Sequence, residues 1–406
     1  MTVELMRKID YFVGIPVCFI LSIKRRVEKF FLIKRKKKIK KILLIGISEM
    51  GSIVLAYTAI KYLKERYNPE FYFFTFKENI NAVKLLTLIP EKNFITLRKD
   101  NLFVFIRDFI NAIIHLKKLK IDAVIDMELF SRVSAIISYI SGARIRVGFH
   151  NFYNEGLYRG NLQTHNVMYN PYKHISINFL ALARALEKSE TPLLKENLKI
   201  TPQLPPFKIS PEAYKRIVEK IINKNKNFSK KSLKIILNPN ASKMLPIRRW
   251  PIENYIALGK KLLKKFKNAY IIITGAKDEI ADGRLLEEGI NNKRCINLAG
   301  ETEFDELMAL YKLCDILITN DSGPAHFASL TPIKIFVFFG PETPVLYAPL
   351  KNATIFYSNL HCSPCVSAFN HRKTPCKEPL CLKSITVEQV FNEVLKYVRK
   401  HLWKKI

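Results

Sequence analysis

The chain twice alternates short apolar runs with longer amphipathic segments, and this repeated alternation limits the folds open to it. The strands predicted in the first series are Lys41–Gly46, Glu70–Thr75, Phe94–Leu97, Ala123–Ile125 and Arg144–Phe149. Those predicted in the second series are Ile235–Asn238, Ala269–Thr274, Ile316–Thr319 and Lys334–Phe339. Strands that alternate with helices build parallel sheets covered by helices on both faces. We therefore predict an α/β protein with two Rossmann-like, doubly wound domains.

A proline-rich break separates the two series. Four prolines lie close together between the two series, at Pro202, Pro205, Pro206 and Pro211, and such a cluster is typical of a linker. We predict a first domain over residues 41–205, a second over 206–385, and a closing amphipathic helix within 386–406. Ligands of such folds bind beyond the carboxyl ends of the strands, so we expect the two domains to face a cleft. The long polar connection His150–Lys173 is expected to be an active-site loop.

The first 40 residues differ from the rest of the chain in charge. Residues 1–41 carry thirteen basic side chains against three acidic ones, and the whole chain has a formal net charge of +32. The apolar run Tyr11–Ile23 is too short to span a bilayer and is interrupted by Gly14 and Pro16. A basic stretch follows it, which suits an anionic membrane surface. We predict that residues 1–40 bind the membrane without crossing it.

Other interpretations of this segment are open. A signal peptide would need a small-residue cleavage site, whereas the sequence after Ile23 is strongly basic. A solvated basic tail beside an ordinary buried helix would have the same composition. Nucleic acid is another polyanion, but the sequence contains no motif of a known nucleic-acid-binding module, so we expect no such partner.

The stretch Ile316–Leu330 predicts a strand that leads directly into a helix. The junction brings an acid, a hydroxyl, a glycine and an imidazole together, at Asp321, Ser322, Gly323 and His326. Unpaired N–H groups and the helix dipole attract anions at such a point. We predict that this junction binds the phosphates of a ligand. The alternative is that Asp321 or Ser322 only caps the helix.

Further donor-binding candidates follow the other strands of the second series. The loop after Ile235–Asn238 supplies an amide and three cations, and guanidinium groups can hold a diphosphate bidentately. Three small residues stand near the neighbouring strand ends, where glycine permits close backbone approach. These candidates are Asn240, Lys243, Arg248, Arg249, Gly275, Thr302 and Gly340.

With these residues the chain resembles the ADP-heptose:lipopolysaccharide heptosyltransferases, glycosyltransferase family nine. The matching segments are Asn238–Ala241, Arg248–Pro251, Ile271–Gly275, Asn297–Thr302, Thr319–His326 and Phe339–Pro344. The resemblance implies the GT-B fold, with a nucleotide-sugar bound by the C-terminal domain and a lipid-linked sugar acceptor by the N-terminal domain. It also implies an enzyme on the inner face of the inner membrane that extends a lipopolysaccharide core, or a related glycolipid, with ADP-heptose as the expected donor.

The implied chemistry is inverting sugar transfer, which needs a general base and positive charge for the departing diphosphate. The resemblance assigns Arg248 to the diphosphate, and it places Asp321 and His326 near the sugar and phosphates. The sequence has no Asp-x-Asp pair, so we expect neither a metal nor another cofactor for the leaving group.

One position departs from the family. Its first loop usually carries a Gly-Asp whose carboxylate is the expected base, whereas here the loop Ser48–Ser52 ends in a serine. We name Glu49 and Glu128 as candidate bases, and Asp321 as a third catalytic candidate. A non-catalytic or differently specific member of the fold is the alternative.

Four cysteines near the C-terminus are spaced as Cys362-x2-Cys365 and Cys376-x4-Cys381. Such spacing is compatible with a four-thiolate zinc site. The other interpretation is a cysteine-rich loop without a metal, because similar proteins carry a Cys-x-Pro-Cys element at this point.

Overall fold

The computed structural model describes residues 2–31, 38–150, 156–188, 193–241 and 245–403, without the side chains of residues 29–31. The chain divides into two compact units, Met1–Pro205 and Pro206–Ile406. Each unit contains one six-stranded parallel sheet. The prediction of two doubly wound α/β domains is therefore confirmed.

The first unit is built on strands β1 to β6, which are Lys41–Ile45, Glu70–Phe76, Phe94–Leu97, Ala123–Asp126, Ile145–His150 and His165–Met168. Their spatial order is β3-β2-β1-β4-β5-β6. In the register, Ile45 lies between Phe74 and Asp126. The strand order reverses between β1 and β4, and the loops that follow these two strands therefore start side by side.

The helices of this unit are α1 Val3–Phe12, α2 Gly14–Phe31, α3 Met50–Leu55, α4 Tyr57–Tyr67, α5 Ile80–Leu85, α6 Leu102–Leu119, α7 Arg132–Ile140 and α8 Ile175–Arg184. Ala112 and Leu116 of α6 and Ile137 of α7 pack with buried residues of β1, β2 and β4 in one apolar cluster. Helices α6 and α7 thus cover the same face of the sheet.

Helices α1 and α2 pack on α7 and complete the first unit. Asp10 of α1 accepts hydrogen bonds from the backbone N–H groups of Arg132 and Val133, both at 2.9 Å, at the start of α7. Arg25 of α2 is buried and donates to the backbone carbonyl of Gln163 at 2.5 Å. No helix within the described ranges is long and apolar enough to cross a bilayer. Membrane binding by residues 1–40 stays a prediction, and the basic residues 34–37 lie outside the described part.

The second unit is built on strands β7 to β12, which are Leu233–Asn238, Ala269–Ile273, Cys295–Asn297, Ile316–Asn320, Lys334–Phe339 and Ala353–Tyr357. Their order, β12-β11-β10-β7-β8-β9, repeats that of the first sheet. The helices are α9 Pro211–Lys224, α10 Ile252–Lys265, α11 Ile280–Ile290, α12 Phe304–Leu313, α13 Gly323–Ala328, α14 Pro344–Tyr347, α15 Leu380–Lys383 and α16 Val387–His401. Here the order reverses between β7 and β10, so their loops start side by side.

Strands β6, β9 and β12 were not expected. Strand β6 lies within His150–Lys173, so part of this segment belongs to the sheet, and its role as an active-site loop stays a prediction. All three are edge strands, and β6 and β12 leave several side chains partly exposed. Strands β6 and β12 mix polar and apolar residues and β9 has only three residues, so none of them shows the longer apolar run by which the central strands are predicted.

Candidate functional site

Asn320 joins the two loops at the reversal point of the second sheet. It ends β10, and its side-chain amide donates to the carbonyl oxygens of Pro239 at 2.9 Å and Asn240 at 3.1 Å, in the loop after β7. Its amide oxygen accepts from the backbone N–H of Trp250 at 2.8 Å. Because Asn320 is fully buried, these bonds fix the loop that carries Arg248 and Arg249 against the residues that follow β10.

Arg248 and Asp321 form a largely buried ion pair beside this junction. Their Nη1 and Oδ2 atoms are 3.1 Å apart. Burial raises the pKa of Asp321, and the Arg248 guanidinium opposes that shift. The two opposite charges leave this largely buried pair with little net charge at the carboxyl ends of β7 and β10.

Glu342 is a second buried carboxyl group near this pair, and it is absent from the predicted site residues. Burial raises its pKa to about 8, with a further contribution from the charge of Asp321. Thr343 donates its backbone N–H to the carboxylate at 3.3 Å. Glu342 follows β11 at the same sheet edge, so its position after the strand was the signal available in the sequence.

Several polar atoms near the pair have no partner in the described residues. Both side-chain amide atoms of Asn240 are buried without a hydrogen bond, and so is Nε of Arg248. A Cβ on Gly275 would lie 3.0 Å from Nδ2 of Asn240, which places these two predicted residues in contact. Buried polar atoms without partners are rare, and they are the groups that a polar ligand can satisfy.

Ser322 precedes α13 without capping it. Its side chain makes no capping hydrogen bond and instead donates to the carbonyl of Asn320 at 3.2 Å. The carboxylate of Asp321 is engaged by Arg248. The alternative that these side chains only cap the helix is therefore wrong. Helix α13 has six residues, begins at Gly323 and carries the buried His326.

The remaining donor candidates differ in their surroundings. Arg249 turns to α11 and pairs with Asp282 at 3.1 Å, half-exposed. A Cβ on Gly340 would lie 2.8 Å from Sγ of Cys381, so Gly340 permits close packing against α15. Thr302 is partly exposed after β9. Lys243 lies outside the described residues.

In the first unit, Glu128 lies at the reversal point between β1 and β4. Its Oε1 accepts from the backbone N–H groups of Ile47 at 2.5 Å and Ser48 at 2.9 Å, and the Ser48 hydroxyl donates to Oε2. Burial raises the pKa of Glu128, while the bonds from Ser48 oppose the shift. A buried carboxylate with a raised pKa is the environment of many general bases.

Glu49 and Ser52 have different environments. Glu49 is the residue before α3, is half-buried, and makes no capping bond with its side chain. The Ser52 hydroxyl donates to the carbonyl of Glu49 at 3.0 Å. The Ser52 hydroxyl is thus engaged by a backbone carbonyl, and Glu49 and Glu128 stay the predicted candidates for the base.

Asp126 organises the residues behind Glu128. It is fully buried and pairs with Arg159, and it accepts from Ser134 Oγ at 2.9 Å and Gln163 Nε2 at 3.1 Å. Burial raises the pKa of Asp126 and Arg159 opposes that shift. The Asp126 carboxylate also accepts from the backbone N–H of Glu128 at 3.1 Å, which holds the loop in place.

The four clustered cysteines are free thiols. Burial raises the pKa of Cys381 to about 11, and the negative charges of the other three thiolates, when formed, add to the shift. Within the described ranges, no group of three or more His, Cys, Asp or Glu side chains is arranged to hold a metal ion. The zinc-site interpretation of this cluster thus finds no support in the geometry.

Proteins of known family are similar in sequence to part of this chain. Residues 112–374 match Glycosyltransferase family 9 (heptosyltransferase). Lipopolysaccharide heptosyltransferase 2 of Escherichia coli K12 is 33% identical over 110 residues, which are 26% of this chain and 31% of that protein. Lipooligosaccharide heptosyltransferase 2 of Campylobacter jejuni strain 81116 is 32% identical over 168 residues, 39% of this chain and 50% of that protein. The chain thus spans a third to a half of these relatives.

Solved structures share the fold over a longer stretch. E. coli ADP-heptose lps heptosyltransferase II superimposes with a TM-score of 0.66 at 20% identity, over 89% of this chain and 99% of the other. A family 9 glycosyltransferase from Veillonella parvula gives 0.68 at 17% identity, over 89% and 97%. At these identities the likeness establishes the fold. The family match covers well over half of the 406 residues, and the protein therefore belongs to glycosyltransferase family 9, the heptosyltransferase family.

Proposed function

We propose that this protein transfers heptose from ADP-heptose to a sugar of the lipopolysaccharide core or a related glycolipid. Family membership supports a glycosyltransferase. The relatives named lipopolysaccharide and lipooligosaccharide heptosyltransferase 2 support the donor and acceptor class. The observation that carries the proposal is the Arg248–Asp321 pair with the unpartnered amide of Asn240 beside it, because these groups suit a nucleotide diphosphate.

The donor site is assigned to the second unit. Arg248 uses one Nη atom on Asp321, and its Nε is left for a phosphate oxygen of the donor. Asn240 supplies one acceptor and two N–H donors for hydroxyl or phosphate groups. Arg249, Gly275, Thr302, Ser322, Gly323, His326 and Gly340 remain proposed donor contacts, and so does Lys243.

The general base is assigned to Glu128, with Glu49 as the alternative. The acceptor hydroxyl would attack C1 of the heptose while the bond from C1 to the diphosphate oxygen breaks. ADP leaves with the electron pair, and the hydroxyl proton passes to the carboxylate. A single displacement of this kind inverts the configuration at C1. Positive side chains would neutralise the diphosphate, so the proposed mechanism uses no metal ion.

The proposed location is the cytoplasmic face of the inner membrane, where a lipid-linked acceptor is accessible. The excess of basic side chains in residues 1–41 supports this proposal, because cations accumulate at anionic lipid. The first unit is assigned the acceptor.

Release of ADP tests the function. Purified protein with ADP-heptose and a Kdo-lipid A acceptor should release ADP and form a heptosylated product, detected by mass spectrometry. Activity that persists in EDTA supports the metal-free mechanism, and an anomeric configuration at C1 of the product opposite to that of the donor, seen by NMR, supports inversion. A protein that releases no ADP with ADP-, UDP- or GDP-sugars would instead be a non-catalytic member, which the serine at position 52 favours.

A further inference from the structure

Helix α6 is apolar on both of its faces. Its inner face, which includes Ala112 and Leu116, packs on the sheet of the first unit. Its outer face carries Phe103, Ile106, Ile110 and Ile114, which we call the α6 stripe, and each of them is between 47% and 76% exposed. A helix that covers a globular core normally turns a polar face outward, so the stripe requires an explanation other than packing.

A second stripe lies on α2. This α2 stripe consists of Phe19, Ile20, Ile23 and Val27, and each of these side chains is between 49% and 62% exposed. Helices α2 and α6 both contact α7, so the two stripes lie on neighbouring elements of the first unit. By contrast, the large apolar residues exposed in the described part of the second unit are scattered, as with Ile222 on α9 and Leu285 on α11.

The charges around the α6 stripe are positive. Arg107, Lys117 and Lys118 are exposed on the same helix. The one acid of α6, Asp108, is paired with Arg98, with 2.8 Å between Nε and Oδ2, and it also lies 3.5 Å from Nη2 of Arg107, so two cations face one carboxylate. On α2, Lys24 and Arg26 are exposed near the second stripe. Apolar stripes bordered by cations are typical of helices that lie in the interface of anionic membranes.

The charge pattern favours lipid over a second copy of the chain. A symmetric contact through the stripes would bring two cationic borders together, in a protein whose formal net charge is +32. An anionic bilayer offers both an apolar layer for the stripe and negative headgroups for its border.

We propose that the α6 stripe, together with the α2 stripe, inserts into the headgroup region of anionic lipid and holds the first unit on the membrane. This inference rests on the proposed function, since it names the surface by which an enzyme of glycolipids reaches its acceptor. The α2 stripe belongs to the segment already predicted to bind the membrane, whereas α6 lies outside that segment and adds a lipid-binding surface within the sheet domain.

Vesicle co-sedimentation of the full chain tests this surface. Phe103→Ser/Ile110→Ser should lower partition onto phosphatidylglycerol-containing vesicles at least tenfold. The matched control Ile222→Ser/Leu285→Ser, at exposed apolar positions of the second unit, should change it less than twofold. Circular dichroism should show the same melting for both variants. Equal partition of the α6 variant and the wild type would overturn the proposal.

Charge variants and a soluble acceptor separate the possible outcomes. Arg107→Gln/Lys118→Gln should weaken binding to anionic vesicles and reduce its salt dependence, while binding to phosphatidylcholine vesicles stays weak. Transfer to a water-soluble acceptor without acyl chains should be unchanged in the α6 variant. If the wild type binds vesicles but transfers no sugar, the proposed function is contradicted, whereas the proposed lipid-binding role of the stripes still holds. The wild type could instead be a dimer that the α6 substitutions dissociate. If vesicle binding is then unchanged, the α6 stripe is a contact between two copies, and the proposal that it binds lipid is overturned.

Discussion

At the scale of single residues, the second unit holds two buried carboxyl groups, Asp321 and Glu342, against the one guanidinium of Arg248. Two like charges in a buried site cannot both ionise at low cost, so one of them retains a proton. Burial and the charge of Asp321 raise the pKa of Glu342 to about 8, whereas Asp321 has Arg248 as its direct ion-pair partner, so we assign the proton near pH 7 to Glu342. A neutral Glu342 adds no negative charge beside the Arg248–Asp321 pair, which favours the approach of an anionic diphosphate.

The proton on Glu342 makes stability depend on pH. The unfolded chain ionises this group near its ordinary pKa of 4.5, whereas the folded protein keeps the proton up to about pH 8. The folded state therefore binds more protons in that window, and the free energy of unfolding should fall as pH rises through it. We expect Glu342→Gln to remove part of this fall, up to a few kcal/mol. Urea unfolding between pH 5 and pH 8 measures it.

The exposed Glu253 provides the control for Glu342. Glu253→Gln should leave the pH dependence of unfolding as in the wild type. An unchanged slope in Glu342→Gln would show that this carboxyl group is ionised throughout the window.

The kinetics of two variants distinguish Glu128 from Glu49 as the general base. Glu128→Gln should lower kcat about 10²- to 10⁴-fold, because it removes the proposed base while the amide keeps the shape of the side chain. In the wild type, kcat/KM should rise with pH as Glu128 ionises, from a pKa that burial raises. Glu49→Gln is the matched variant. A large loss in Glu49→Gln with none in Glu128→Gln would assign the base to Glu49.

At the scale of elements, helix α7 depends on a residue far away in the chain. Asp10 of α1 binds the first two N–H groups of α7 and pairs with the buried Arg132 at 3.2 Å. Ser131 also caps the helix, accepting from the N–H of Ser134 at 3.4 Å. The N-terminal helices therefore contribute to the stability of the first sheet domain.

Removal of this distant cap should be costly. Asp10→Ala should lower the free energy of unfolding by about 2–4 kcal/mol, because it removes a helix cap and leaves a buried guanidinium without its carboxylate. Glu4→Ala, which removes an exposed pair with Lys8 on the same helix, serves as control and should have no measurable effect. Thermal unfolding compares the two, and equal melting temperatures would show that α1 does not stabilise α7.

The central strands of both sheets were predictable because they are buried on two faces and form continuous apolar runs, as in Ile316–Asn320. The edge strand Ala353–Tyr357 has mixed burial and gave no such signal. The same contrast holds in the site. Arg248 and Asp321 were predictable from a recurrent motif, whereas Glu342 acquires its role from burial beside Asp321, and burial is a property of the folded chain.

At the scale of the whole molecule, one strand order is used twice, and each sheet has candidate residues where that order reverses. Glu128 stands at the reversal in the first sheet, and Arg248 and Asp321 stand at the reversal in the second. The proposed functions are divided in the same way, with acceptor binding and the general base in the first unit and donor binding in the second.

This division predicts that one substitution can weaken ADP binding and another can abolish sugar transfer without affecting ADP binding. Arg248→Ala should weaken ADP binding about 10- to 100-fold, because it removes a charge-assisted contact to the diphosphate. Glu128→Gln should bind ADP as the wild type does and lose transfer. Isothermal titration with ADP measures both, and a parallel loss of ADP affinity in Glu128→Gln would contradict the division.

The cap that Asp10 provides also has a consequence for synthesis of the chain. Asp10 and Arg132 are 122 positions apart. At the usual rate of about 5–20 residues per second, Asp10 is made roughly 6–24 s before the start of the helix that it caps. During that interval the nascent helices carry uncovered apolar and cationic side chains beside the translating ribosome. They are therefore available to a lipid surface before α7 is made, and attachment to the membrane can begin before the first sheet is complete.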